Sequence, residues 1–244
     1  MCGRFVDPDE EEIVNVFGVK WVSGHQAPSV NVCPTQTVRI VVEDGSQAEH
    51  KGTETQRELR LARWGLVPAW SKTIDNRYLL INARAETVTS KASFRGAAMR
   101  RRAIVPALGY YEWSMTPTGQ KSPFFLHADD DAILGFAGLY EWWRVSAGVD
   151  LPGVVDGWLC STTIITRPAT DALGEIHDRM PVVVAHDLVD DWLSPQITER
   201  GDVDAMLDAM PDPVLTPSPG VDPYRLAKAT TPSHLAKRRD SSLF

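Results

Sequence analysis

Residues 102–128, RAIVPALGYYEWSMTPTGQKSPFFLHA, decide how the chain is read. RAIVPALGYYEW (102–113) is rich in β-branched and aromatic residues, and SPFFLHA (122–128) repeats that character. TPTGQ (116–120) between them holds the proline and glycine of a hairpin loop. The stretch therefore predicts two neighbouring strands joined by a tight turn. Outward from it, the same signature recurs in TVRIVVE (37–43), ELRLARW (58–64), YLLINAR (78–84), ILGFAGLYEWW (133–143), GWLCSTTIITR (157–167) and MPVVVAH (180–186). Helical patterns fall between the strands at FRGAAMRRR (94–102), PATDALGEI (168–176), LVDDWLS (188–194) and VDAMLDAM (203–210). A first helix is expected in DPDEEEIVNVFG (7–18), with Asp7 as cap, Pro8 at the first position and Glu10 completing a capping box. Its apolar face is Ile13, Val16 and Phe17, and Gly18 ends it. The expected fold is α+β: a single compact domain over 1–244, with a mainly antiparallel, barrel-like β core and peripheral helices. The Pro-rich region from about 211 to 244 is expected to be irregular, and its final KRRDSSLF mobile.

Composition narrows the function classes. The 244 residues are 43% hydrophobic and 23% charged, as in a globular chain large enough for a substantial core. No apolar run reaches the roughly 18 residues of a membrane span, and the first residues lack a signal-peptide apolar region. Three widely spaced cysteines, Cys2, Cys33 and Cys160, make neither a disulfide framework nor a CxxC metal knuckle. A reducing, cytoplasmic compartment, no metal and no cofactor are the expectations. The net charge of −7 argues against nucleic acid as a partner unless a local basic surface exists.

Several stretches carry chemistry rather than plain core. MCGRF opens the chain with Cys2 behind Met1. If Met1 is removed, Cys2 presents an α-amine, with a pKa of roughly 7.7–8.0, beside its thiol. In INARAET (81–87), Asn82 and Arg84 share one face of an extended strand, and Ile81, Ala83 and Ala85 the other. Asn and Arg together form a donor array for phosphate or sugar oxygens; a solvated strand face gives the same pattern. In GYYEW, Glu112 lies between Tyr111 and Trp113, a setting suited to proton transfer near neutral pH. YEWW repeats that character at Glu141. GEIHDRMP brings His177, Asp178 and Arg179 together before a strand. Imidazole titrates at cellular pH and Arg179 suits a phosphate, although a polar helix end reads the same way. RWGLVPAW (63–70), broken by Gly65 and Pro68, reads as a rigid loop presenting aromatics, with one of Trp64 and Trp70 in the core. Arginines are densest in FRGAAMRRR (Arg95, Arg100, Arg101, Arg102), with Arg4, Arg63, Arg77, Arg84 and Arg179 scattered.

Taken in order, MCGRF, NVCPTQ, RWGLVPAW, INARAET, SFR, RAIVPALGYYEW, PFFLHA, GFAGLYEWW and EIHDRMPVVV resemble the SOS-response-associated peptidase family, the abasic-site shielding proteins. The resemblance runs from Cys2 to about Val184. It implies a compact, largely β domain that binds abasic sites in single-stranded DNA; no membrane and a monomeric state are further expectations. It also implies a covalent link to that DNA through Cys2. An abasic deoxyribose opens to an aldehyde, which the Cys2 amine attacks to give a Schiff base. The thiol then closes a thiazolidine ring, which only a 1,2-aminothiol can form. Carried over by motif, Glu112 and His177 are the acid/base pair, and Asn82 holds the sugar or the Cys2 amine. Arg4, Arg84 and Arg179 hold phosphates, and Pro34 and Trp70 pack against bases. Where many members have a second bulky aromatic after that tryptophan, this chain has Ser71. Two other classes compete: an N-terminal-nucleophile amide hydrolase of the glutamine amidotransferase type, which also begins MCG, and a non-catalytic single-stranded nucleic-acid-binding module.

Overall fold

A computed structural model describes residues 2–43, 56–74, 78–146, 151–170, 176–220 and 223. Thirteen strands are seen among them: β1 (Phe5–Val6), β2 (Trp21–Val22), β3 (Thr37–Glu43), β4 (Arg57–Trp64), β5 (Asn82–Arg84), β6 (Arg102–Ala107), β7 (Gly109–Met115), β8 (Lys121–His127), β9 (Leu134–Arg144), β10 (Val154–Val155), β11 (Trp158–Pro168), β12 (Arg179–Pro181) and β13 (Thr216–Pro219). The helices are α1 (Glu10–Phe17), α2 (Ala85–Val88), α3 (Arg95–Arg100), α4 (Val189–Leu193) and α5 (Arg200–Ala209).

Five strands close a barrel. β4, β3, β6, β9 and β11 pair antiparallel in that order. A short parallel pairing of β11 with β4, Ser161 against Arg63 and Thr162 against Trp64, completes the ring. Strands with side chains on both faces buried need apolar residues on both, and here alternate residues feed two cores. Val38, Ile40, Trp64, Phe136 and Ile164 pack with Cys2, Phe5, Tyr110 and Leu126. Val41, Leu59, Ile104, Leu139 and Ile165 pack with Ile13 and Phe17 of α1, Ala97 and Ala98 of α3, Trp192 of α4 and Val203 of α5. A second sheet, β1–β7–β8–β13, lies on the first of these cores. The predicted hairpin is β7 and β8, registered from Tyr110 against Leu126 to Met115 against Lys121. Gly109 begins β7 because a Cβ there would stand 2.5 Å from the Leu126 carbonyl oxygen.

Local expectations fail where tertiary contacts outbid them. The cap of α1 is Asp9, with no side-chain cap bond, and not Asp7. Asp7 is drawn inward instead, where Arg39 Nη2 donates to its Oδ2 at 2.7 Å with both side chains almost fully buried. Val16 is exposed, so the buried face of α1 reduces to Ile13 and Phe17, one helical repeat apart. YLLINAR is a strand only over Asn82–Arg84, and Ala85 starts α2, so its grouping with Ile81 and Ala83 on one strand face does not hold. MPVVVAH contributes only its first two residues to a strand, with a single bridge at Val183. The Pro-rich C-terminal region is not wholly irregular. Thr216–Pro219 pairs with β8 at the sheet edge, where proline's missing N–H costs no ladder bond. The helix expected over 168–176 falls largely on residues 171–175, which, with Arg77 and KRRDSSLF, lie outside the described residues. No described helix is long and apolar enough to cross a membrane.

The Asp7–Arg39 pair ties the first strand to the barrel, and it makes a stability prediction. Burial outweighs the pairing with Arg39 and pushes the Asp7 carboxyl up from 3.8 to about 6. The folded chain therefore takes this proton first. The stability this group contributes is full below about pH 4 and is lost as pH rises through about 6. Asp7→Ala strands a buried guanidinium and is expected to cost about 3–5 kcal/mol in urea unfolding near pH 7. Measured at pH 5, the gap to wild type is expected to widen, because only wild type gains the proton there.

Candidate functional site

The site is assembled where β11 runs past the end of the barrel. Over its last five residues β11 is flanked by β5 on one side and by β12 on the other. Asn82 stands opposite Ile164 and Arg84 opposite Thr166, while Arg179 stands opposite Pro168. INARAET and EIHDRMP, 93 residues apart at Glu86 and Arg179, are thereby brought to one strand end.

The first residues of the chain reach the same place from the other sheet. β1 pairs with β7, Phe5 against Tyr110, and the ladder continues as Tyr111 N–H donates to the Arg4 carbonyl at 2.9 Å. This lays Cys2 along β7, in the region of Glu112. Asn82 Nδ2 donates to the Cys2 carbonyl at 2.9 Å, so Asn82 holds the backbone of Cys2. Its Oδ1 is buried and accepts no hydrogen bond among the described residues. Cys2 is fully buried. That burial pushes its thiol well above the usual range, and the Glu112 carboxylate pushes it further. Tyr110 is raised by its own burial and by the same two neighbours. Cys2, Tyr110 and Glu112 are thus one electrostatic group.

Strand alternation explains that group. Tyr110 and Glu112 are two apart on β7 and share a face, whereas Tyr111 and Trp113, the sequence neighbours that drew attention to Glu112, point the other way. Tyr110, not a candidate from its motif, joins the group through the strand's period of two. Glu141 resolves differently, since Arg101 Nη2 donates to its carboxylate at 2.7 Å in a structural pair. His177 is half-buried between Ile176 and Met180, both packed in the core that holds Cys2. Its Nδ1 stands 3.0 Å from the Arg179 N–H and 2.8 Å from Asp178 Oδ1. These two contacts at Nδ1 orient the ring.

The remaining candidates surround this group. Arg4 Nη1 donates to Asn31 Oδ1 at 3.0 Å, and Phe5 bridges Val32, which sets Arg4 beside the segment carrying Cys33 and Pro34. Trp64 is core, donating Nε1–H to the Ile81 carbonyl at 3.0 Å. Trp70 is 67% exposed. Its loop is clamped to the barrel by Val67 N–H on Ser161 Oγ at 2.9 Å and by Trp143 Nε1–H on the Ser71 carbonyl at 2.7 Å. Arg84 is exposed. Arg179 is not presented openly: its guanidinium is bound by Glu86 and by the Thr166 carbonyl. The run FRGAAMRRR does not act as one patch. Arg95 and Arg100 are exposed, Arg101 serves Glu141, and Arg102 is buried on the carbonyls of Ala98, Met99, Trp192 and Ser194.

Residues 1–219 match the model of the SOS response associated peptidase (SRAP) family. The chain is 36% identical over 210 residues to the abasic site processing protein YoaM of Bacillus subtilis, covering 85% of each. It is 29% identical over 198 residues to the abasic site processing protein HMCES of Gallus gallus, covering 71% of this chain and 56% of that one. A solved protein from Bordetella bronchiseptica overlays 89% of this chain and 99% of its own length, at a TM-score of 0.69 and 23% identity. A phage-related protein of the same organism covers 91% and 95%, at a TM-score of 0.67 and 24% identity. The overlays speak for the fold alone.

Proposed function

The chain belongs to the SOS response associated peptidase family, and from that premise we propose that it captures abasic sites in single-stranded DNA as a covalent thiazolidine on Cys2. The names of its relatives support abasic-site handling in DNA repair as the setting. The observation that carries the finer reading is the grouping of Cys2 with Asn82, Glu112 and Tyr110. Removal of Met1 frees the Cys2 amine, with the buried Asn82 Oδ1 as an acceptor for it. The amine attacks the open-chain aldehyde, forming a C–N bond as the carbonyl π bond breaks. Protonation releases the oxygen as water and leaves the imine. The thiol sulfur adds to the imine carbon, and its proton passes to the ring nitrogen. Aldehyde plus aminothiol thus gives thiazolidine plus water.

Glu112 and His177 are the groups assigned to these proton transfers. Arg4 and Arg84 are assigned to flanking phosphates, with Arg179 completing the set, and Pro34 and Trp70 to neighbouring bases. An exposed aromatic on a clamped loop is suited to stacking, worth about 1–3 kcal/mol per base. The chain is taken to act as a monomer. Mature protein mixed with a single-stranded oligonucleotide bearing one abasic site is expected to give a species that survives denaturation. Glutamine hydrolysis without such a species would instead mark an amide hydrolase, and reversible binding alone a non-catalytic module.

A further inference from the structure

A carboxylate occupies the position where the proposed DNA site needs a phosphate. Arg179 Nη1 donates to Glu86 Oε1 at 2.5 Å and Nη2 to Oε2 at 3.0 Å, so Glu86 takes the guanidinium fork end-on, through both Nη atoms. The hydrogen bond from Arg179 holds the Glu86 carboxyl below its usual value, and the Arg84 charge adds to that. Arg84, Glu86 and Arg179 therefore form one cluster in which a single anion faces two cations.

The two partners of this pair are held very differently. The guanidinium has a second anchor, because Nη2 also donates to the Thr166 carbonyl at 2.5 Å and reaches Thr166 Oγ1 at 3.3 Å. Its side chain is 11% exposed, against 46% for Glu86. Glu86 can swing into solvent while Arg179 stays aimed by β11. A bidentate phosphate oxygen pair fits the fork that the carboxylate vacates, since both ligands present two acceptors in one plane.

We propose that Glu86 is a resident anion that fills the Arg179 fork in the free protein and exchanges with a backbone phosphate of the bound strand, setting a low affinity for undamaged DNA. This rests on the reading of the site as a single-stranded DNA site. The cluster offers an incoming strand one net positive charge where its two arginines alone would offer two. That suits a chain with a net charge of −7 and a covalent capture step. Retention then comes from the aldehyde of the lesion, and intact strands, which carry the same phosphates, leave again.

The test titrates mature wild type, Glu86→Gln, Arg179→Ala and the double variant with a fluorescent intact single strand between about 50 and 500 mM salt. Glu86→Gln keeps the size and loses the charge. It is expected to bind more tightly, with a salt slope steeper by about 0.7, so a tenfold dilution of salt opens a gap of roughly fivefold from wild type. The gain is expected to vanish when Arg179→Ala is added. Glu86→Ala carries the same expectation, and thermal melts identify any variant that does not fold. Unchanged binding, or weaker binding with a flatter slope, overturns the inference and makes Glu86 a support for Arg179. Wild type is assayed beside them on an abasic strand. If it crosslinks while Glu86→Gln gains nothing, only the resident anion fails; if folded wild type neither binds nor crosslinks, the DNA-site reading fails and takes this inference with it.

Discussion

Protein processed to begin at position 2 and carrying Cys2→Ser is expected to give no abasic-DNA adduct that survives denaturation. Serine keeps the α-amine, so a Schiff base still forms, but that linkage reverses by hydrolysis, and ring closure through sulfur is lost. Cys2→Ala is expected to behave in the same way, and borohydride reduction before denaturation separates trapped imine from no reaction. The result follows from the state of the thiol. Cys2 is fully buried, and burial together with the Glu112 charge pushes its thiol up, so it is protonated near neutral pH. The thiolate is the strong nucleophile, which makes the amine the first attacker and the sulfur the second. A chain proven by intact mass to keep Met1 has its Cys2 nitrogen in a peptide bond and is expected to be inert. Cys33 and Cys160 lie within the chain without an α-amine, and replacing them is expected to leave crosslinking unchanged. A stable adduct formed equally by Cys2→Ala would overturn the thiazolidine.

The strands were the most legible part of the fold because their signal is local. TVRIVVE forms a strand over its full length, ELRLARW gains one residue at its start, and ILGFAGLYEWW and GWLCSTTIITR slide forward by one residue. Closure into a barrel was less legible, since it depends on two residue pairs between β4 and β11, nearly a hundred residues apart. Short segments failed for the same reason. TPSP has poor strand propensity, and only the open edge of β8 makes it one. Asp7 had every local reason to cap a helix, and Arg39, 32 residues away, decided otherwise. Motif order put forward Cys2, Asn82 and Glu112, and the structure sets Asn82 on the Cys2 backbone and the Glu112 charge near its thiol. Tyr110 was less legible, because a strand groups alternate residues while the motif GYYEW displays adjacent ones. Glu86 lies within INARAET, but its charge acquires meaning only beside Arg179.

Glu112→Gln and His177→Ala are expected to slow crosslinking by roughly 10²–10⁴-fold while leaving affinity for intact single strands nearly unchanged. Two steps need a proton moved: water leaves the carbinolamine only when protonated, and sulfur attacks only as it loses its proton. Glu112 is the carboxylate whose charge is felt at the Cys2 thiol, which makes it the natural acceptor for the second step. The same charge disfavours the thiolate at rest, so Glu112 has two opposed effects on Cys2. They separate by experiment. Glu112→Gln removes the charge, and the pH at which mature Cys2 reacts with iodoacetamide is expected to fall, though burial keeps it above that of an exposed cysteine. If only thiolate population mattered, this variant would crosslink faster. A slower rate beside an easier ionisation isolates proton transfer as the lost function. For His177, Nδ1 is engaged by the Arg179 N–H and by Asp178, which fixes the orientation of the ring. His177→Ala removes the ring altogether, whereas Asp178→Asn leaves the Arg179 N–H to orient it and is expected to slow crosslinking less. Wild-type rates in both Glu112→Gln and His177→Ala would place the proton transfers in solvent and reduce the site to an aminothiol held near a strand.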